Sequence, residues 1–294
     1  MGDRGRFFVS STEETKNRPL FPCLQPCIPR RAAIMNWQSP GLELYFNDMN
    51  FITDGLTVGQ KQEEIMNITK EQLAQMIDHT NLKAFSEDAA FKKLCDEAKE
   101  YGFKAIAING AQIERCKKYL GDSPVHIGAT VGFPLGQMTI ESKVFETEDA
   151  IRKGAHEIDY VLNVAELKNG NKDYIESEMR QITQACHAHG VICKVIFENC
   201  YLTDDEKKTA AEIALVAGPD FIKTSTGFGT GGATVEDVRL MKSVVGDAVK
   251  VKAAGGIRDF ETAAAMIEAG AERLGTSAGV ELMKYFEGEN NVLY

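Results

Sequence analysis

Phe221-Ile-Lys-Thr-Ser-Thr-Gly-Phe-Gly-Thr-Gly-Gly-Ala-Thr234-Val-Glu-Asp237 carries a strand signal, a loop signal and a helix start in one uninterrupted stretch. The apolar run with a lysine inside it predicts a strand over 221–225, and the glycines from Gly227 to Gly232 predict a loop. Thr234, with acids in the turn that follows it, predicts a capped helix ending near Gly246. The same unit recurs on both sides. Thr203-Asp-Asp-Glu206 is a capping box with Gly218 at the far end of its helix, and Asp259 opens a helix that stops at Gly270. Further upstream, Ala90, Phe91, Leu94, Cys95 and Ala98 fall at three- and four-residue spacing, one apolar face to lay against a sheet.

Candidate strands are Met76–His79, Ala105–Asn109, Ile127–Val131, Glu157–Leu162, Lys194–Phe197, Phe221–Ser225, Val249–Ala253 and Arg273–Thr276. Eight strands separated by roughly 25 to 35 residues suit strand, loop, helix and return, so the expected class is α/β and the expected architecture a TIM (β/α)8 barrel. A doubly wound open sheet is the alternative, but no G-x-G-x-x-G follows the first strand. The barrel is expected over residues 68–288. Residues 1–67 carry Pro19, Pro22, Pro26, Pro29 and Pro40 without strand or helix periodicity and read as an N-terminal extension; 289–294 read as a tail. A frayed end is the default reading of Tyr294, the alternative being a phenol that folds over the mouth and helps protonate an intermediate.

Across 294 residues, 44% hydrophobic and 26% charged side chains argue against disorder, a fibrous repeat or a membrane bundle, and no apolar run is long enough to span a bilayer. A net charge of -10 opposes a nucleic-acid partner but allows a small phosphorylated substrate, which needs only a local positive site. The seven cysteines include no CxxC pair, so neither a disulfide framework nor a zinc ribbon is indicated, and a reducing cytoplasm fits. No secretory signal is read at the start, and Glu13 and Glu14 count against an organellar presequence.

Parallel strands covered on both faces should be continuous Val, Ile and Leu, so charges within them are informative. Asp159, Lys223 and Lys252 stand out near the ends of the fourth, sixth and seventh strands, where a barrel forms its active-site mouth. One strand lysine has a bland reading, a stem packed in the core with a solvated or paired ammonium. Two on adjacent strands beside an aspartate point further, because mutual repulsion and desolvation favour the neutral amine, which attacks carbonyls to make an imine. Lys250, two residues before Lys252, reads as structural. Glycines close three successive strands at Gly227–Gly232, Gly255-Gly256 and Gly275–Gly279, giving backbone amides access to a phosphate. Tight turns alone are the competing explanation for any single loop.

These residues resemble the deoxyribose-phosphate aldolase family. The matching strings are Ile77-Asp-His-Thr80, Gly132-Phe-Pro-Leu-Gly136, Glu157-Ile-Asp-Tyr-Val-Leu-Asn163, Lys194-Val-Ile-Phe-Glu198, Phe221 through Thr234, Val251-Lys-Ala-Ala-Gly-Gly-Ile-Arg258 and Gly275-Thr-Ser277, in order from about Thr69 to Leu282. The resemblance implies a TIM barrel without metal or other cofactor. It implies Lys223 as the Schiff-base lysine, with Asp159 and Lys252 managing proton transfers. It also implies substrate and phosphate contacts from Asp78, Thr80, Thr224, Gly227, Gly255, Gly256 and Ser277. For Asp78 and Thr80, a strand-end hydrogen-bond network is the alternative. A homodimer follows from the resemblance alone.

Three places depart from the family's usual strings: Ala107-Ile-Asn-Gly110, Asn199-Cys200 and Ser277-Ala278. The last removes a hydroxyl from the expected phosphate end, which puts substrate preference in question. His187-Ala-His189 reads as a solvated helix end rather than a metal site, and Cys200 as a bystander near the mouth rather than a reactive thiol. Three functions compete: an aldolase acting on deoxyribose 5-phosphate, a Schiff-base aldolase with a shifted substrate, and a sugar-phosphate binding protein that has lost catalysis.

Overall fold

The computed structural model describes residues 68–288; the expected extension 1–67 and tail 289–294, with Tyr294, lie outside the described residues. Eight strands run β1 (Ile77–Asn81), β2 (Ala105–Asn109), β3 (His126–Val131), β4 (Glu157–Val161), β5 (Ile192–Ile196), β6 (Phe221–Lys223), β7 (Lys250–Ala254) and β8 (Arg273–Thr276). Every neighbouring pair is parallel, and β8 pairs back onto β1, closing the barrel in sequence order. Closure excludes the open doubly wound sheet.

Helices alternate with the strands and start where side chains satisfy their first amides. Thr203 and Glu206 form both arms of a capping box on the helix Asp204–Ala217, which Gly218 terminates at φ 74°. Thr234 accepts from the Asp237 amide to open Val235–Val245, and Asp259 accepts from the Thr262 amide to open Phe260–Glu268. In the helix Asp88–Tyr101 the expected stripe is buried at Phe91, Leu94, Cys95 and Ala98, while Ala90 is only half-buried at its margin. Burying the Phe and Leu side chains contributes roughly 1.5–3 kcal/mol each. A short helix, Lys70–Ala74, precedes β1 with its own Thr69–Gln72 capping box, an element the sequence periodicity is too brief to show.

Two boundary differences matter for the site. β5 begins at Ile192 rather than Lys194, so Lys194 occupies the middle of the strand, in register with Asp159 on β4. β6 ends at Lys223, although the Thr224 amide still donates to the Lys252 carbonyl at 3.1 Å. Among the described residues no helix is long and apolar enough to cross a membrane.

Candidate active site

Side chains alternate in and out along each strand. In β4, Ile158 and Tyr160 turn toward the helices, where they join the apolar core, and Glu157 and Asp159 turn into the barrel. The same alternation sends Asp78, Lys194, Lys223, Lys252 and Arg273 inward from five other strands. Barrel interiors are ordinarily filled by Val, Ile and Leu; this one is filled by charge.

The seven side chains form one network. Asp159 accepts from Lys194 through one carboxylate oxygen and from both Lys223 and Lys252 through the other, each at 2.7 Å. Lys252 also pairs with Asp78, which accepts from Arg273 at 2.8 Å. Arg273 reaches Glu157 at 3.0 Å, and Glu157 returns to Lys194 at 2.5 Å. Four basic groups thus face three carboxylates, and all seven are buried. Burying a charge is tolerable only when it is paired and hydrogen-bonded, so the excess of one base leaves one proton weakly held.

The balance of burial and charge shows where that proton is lost. Burial, together with repulsion from the Lys252 and Lys194 ammonium groups, outweighs the attraction of Asp159 and lowers Lys223 to about 8. Burial opposes ionisation of Asp159, but Lys194, Lys223 and Lys252 overcome it and hold the carboxyl well below its ordinary range. Glu157 is held low in the same way by Lys194, His126 and Arg273. For Lys194, attraction from Asp159, Glu157 and Asp78 overcomes burial and raises it. A permanently ionised aspartate therefore sits beneath a lysine that readily becomes a neutral amine.

A cavity of ≈ 830 Å³ opens above the network, and its wall includes Thr80, Lys223, Gly227, Gly255, Gly256 and Ser277. Those six candidates are brought together around one space. Asp78, Asp159, Lys252 and Thr224 are buried beneath or beside the wall instead. Asp78 spends its carboxylate on Lys252 and Arg273 rather than facing the cavity. Thr224 is committed to β7, its hydroxyl donating to the Ala254 carbonyl at 3.2 Å and accepting from the Ala254 amide at 3.1 Å. Thr80 donates to the Asp78 carbonyl at 2.8 Å, which orients the strand end that borders the cavity.

The remaining candidates fall elsewhere. Lys250 lies exposed at the start of β7, 5.7 Å from the centre of the Phe221 ring. His187 pairs with Asp220 at 2.9 Å at an exposed helix end, and among the described residues no group of His, Cys, Asp or Glu is arranged to hold a metal ion. Asn199 is buried, with its amide against the Met241 sulfur at 3.2 Å, away from the cavity wall. The Ala278 amide donates to the Thr276 hydroxyl at 2.9 Å. Cys200 is half-buried against Gly229 and Gly231 in the loop after β6.

Although the sequence reading singles out only Asp159, Lys223 and Lys252 as strand charges, Glu157, Lys194 and Arg273 complete the network. Their signal is present: each is a charge inside a strand, and Glu157 and Asp159 stand two apart and so share a face.

The pattern of the DeoC/LacD family aldolases matches residues 72–284. A deoxyribose-phosphate aldolase of Lactobacillus acidophilus is 59% identical over 217 residues, covering 74% of this chain and 92% of the relative. One from Bacteroides thetaiotaomicron is 55% identical over 225 residues, covering 76% and 94%. Among solved structures, an aldolase designated QR15 superposes with a TM-score of 0.71 at 38% identity, covering 75% of this chain and 98% of that one. A deoxyribose phosphate aldolase from Aeropyrum pernix, described as tetrameric, gives 0.71 at 29% identity, covering 79% and 97%. Matched along the whole barrel, with the inward-facing lysines and aspartates in the matched segment, the chain belongs to the DeoC/LacD aldolase family.

Proposed function

We propose that this chain is a lyase that cleaves 2-deoxy-D-ribose 5-phosphate, reversibly and without a metal, to D-glyceraldehyde 3-phosphate and acetaldehyde. The observation that carries the reading is the position of Lys223. Of the two lysines bonded to the same Asp159 oxygen, Lys223 borders the cavity and Lys252 lies wholly buried below it.

The neutral Lys223 amine adds to carbon 1 of the open-chain sugar, and loss of water gives an iminium ion. The Lys252 ammonium gives up the proton that leaves with that water, and the neutral Lys252 amine, held by Asp159, then takes the proton of the carbon 3 hydroxyl, directly or through a water. The carbon 2–carbon 3 bond breaks, and its electrons move onto carbon 2 and the iminium nitrogen, leaving an enamine and releasing glyceraldehyde 3-phosphate. Protonation of the enamine at carbon 2 restores the iminium ion, and water returns the lysine and acetaldehyde. Asp159 stays ionised throughout and stabilises the positive charge that passes between the lysines. The backbone around Gly227, Gly255, Gly256 and Ser277 receives the phosphate. Thr80, on the wall, meets the sugar, while Asp78 acts from below by holding Lys252.

Such a reaction belongs to deoxyribonucleotide catabolism in the cytoplasm, where the free cysteines among the described residues, Cys95, Cys116, Cys186, Cys193 and Cys200, stay reduced. A homodimer is the proposed assembly, which sedimentation checks. The activity test is acetaldehyde release in the presence of a chelator from deoxyribose 5-phosphate, unphosphorylated deoxyribose and other phosphorylated aldehydes. Preferred turnover of deoxyribose 5-phosphate is expected. Preference for another aldehyde would mean a shifted substrate, and no turnover of any would favour a binding protein.

A further inference from the structure

Glu198 is the one described residue other than glycine with positive φ, at φ 57° and ψ 62°. It is also buried, two residues beyond the end of the strand that carries Lys194. A long side chain in the left-handed region costs on the order of 1–3 kcal/mol and persists only when its surroundings over-determine it. The surroundings here are the continuation of β6 beyond Lys223. The Phe197 amide donates to the Lys223 carbonyl at 2.9 Å and the Asn199 amide to the Thr224 carbonyl at 2.9 Å, so the residues on either side of Glu198 are both tied to that segment.

The strained conformation aims the Glu198 carboxylate at the loop that follows. One oxygen accepts from the Thr226 amide at 3.1 Å and the other from the Thr226 hydroxyl. That hydroxyl in turn accepts from the Phe228 amide at 3.0 Å. Packing adds a second constraint. A Cβ built on Gly229 would lie 3.1 Å from the carboxyl carbon of Glu198 and 2.6 Å from the Cys200 sulfur, so a side chain there would force both to shift and glycine lets the loop rest on this turn. Thr226, Gly227 and Phe228 line the same cavity as Lys223.

We propose that Glu198 is a positioning residue that locks the 226–228 loop in the shape that receives the substrate's phosphate, and so sets the preference for phosphorylated over unphosphorylated sugars. This rests on the reading of the cavity as an aldolase site. Fixing the loop before binding removes the ordering cost from the binding step. The effect therefore falls on KM for the phosphorylated substrate rather than on imine chemistry at Lys223.

The test compares kcat and KM for 2-deoxyribose 5-phosphate and for 2-deoxyribose in wild type, Glu198→Ala, Thr226→Val and Thr226→Ser, with folding checked by circular dichroism. In Glu198→Ala and Thr226→Val, selectivity for the phosphorylated sugar is expected to fall about tenfold through KM, the consequence of losing one hydrogen bond to a charged group. Thr226→Ser, which keeps the hydroxyl, should retain the selectivity. Equal losses on both sugars, or an unchanged ratio in folded variants, would reduce Glu198 to a structural residue and overturn the proposal. If Glu198→Ala does not fold, the Val and Ser variants of Thr226 decide alone. Wild type inactive on both sugars would remove the aldolase reading itself, a result distinct from an active wild type whose variants keep their selectivity.

Discussion

Replacing Lys252 by methionine should move the titration of the Lys223 amine upward. The two ammonium nitrogens each lie 2.7 Å from the same oxygen of Asp159, so they are no more than twice that distance apart. At ~5 Å and an effective dielectric of about 20, two like charges repel by about 3 kcal/mol, which corresponds to about two pH units. Lys223, at about 8 with Lys252 in place, should then titrate near 10 in Lys252→Met. At pH 7 the neutral fraction drops from roughly one tenth to roughly one thousandth, slowing imine formation about 100-fold. Cyanoborohydride trapping with acetaldehyde as a function of pH reads this directly, since acetaldehyde has no carbon 3 hydroxyl to deprotonate. Asp159→Asn removes the charge that favours the ammonium form, so its midpoint should fall below that of wild type. A midpoint that stays near 8 in Lys252→Met would refute the electrostatic argument.

Further outcomes follow from the same network. Lys223 falls from its ordinary 10.5 to about 8, so between those values the unfolded chain binds more protons and stability rises with pH. The cost of keeping this lysine charged, on the order of 3 kcal/mol, is fully present below pH 8 and relieved as pH rises toward 10.5. Urea unfolding of wild type and Lys223→Met should therefore show Met ahead at pH 7 and the gap closing by pH 10; a gap independent of pH would contradict this. Lys194→Met strips the cation shared by Glu157 and Asp159 and should cost about 3–5 kcal/mol in chemical denaturation, whereas a loss under about 1 kcal/mol would show that Arg273 and the other lysines suffice. Gly136 has φ 68°, and a Cβ there would run into the Leu162 carbonyl, so Gly136→Ala should lower stability by about 1–3 kcal/mol, with an unchanged thermal midpoint counting against that clash.

The barrel was legible because its signals are local. Thr203, Thr234 and Asp259 cap helices where their spacing to the next acids or amides indicates, and Gly218 ends one with positive φ. Lys223, Lys252 and Asp159 were legible as charges in strands that should be apolar. What local pattern does not give is the distribution of partners across the barrel. Asp78 lies at a strand end like Thr80, yet only Thr80 borders the cavity, because successive inward side chains stand at different heights and the lower one finds Arg273 and Lys252. Thr224 follows Lys223 immediately and so turns away from it, onto the β7 backbone. Glu198 carries no sequence sign of its left-handed backbone, which is imposed by contacts with residues some thirty positions later.

In the proposed reaction Lys223, poised as a neutral amine, forms the imine. Mass spectrometry after borohydride reduction with 2-deoxyribose 5-phosphate, in wild type and Lys223→Ala, tests it most directly. A stable adduct should map to Lys223 and disappear in the variant. An adduct on Lys252, or none where another class I aldolase is trapped under the same conditions, would contradict it.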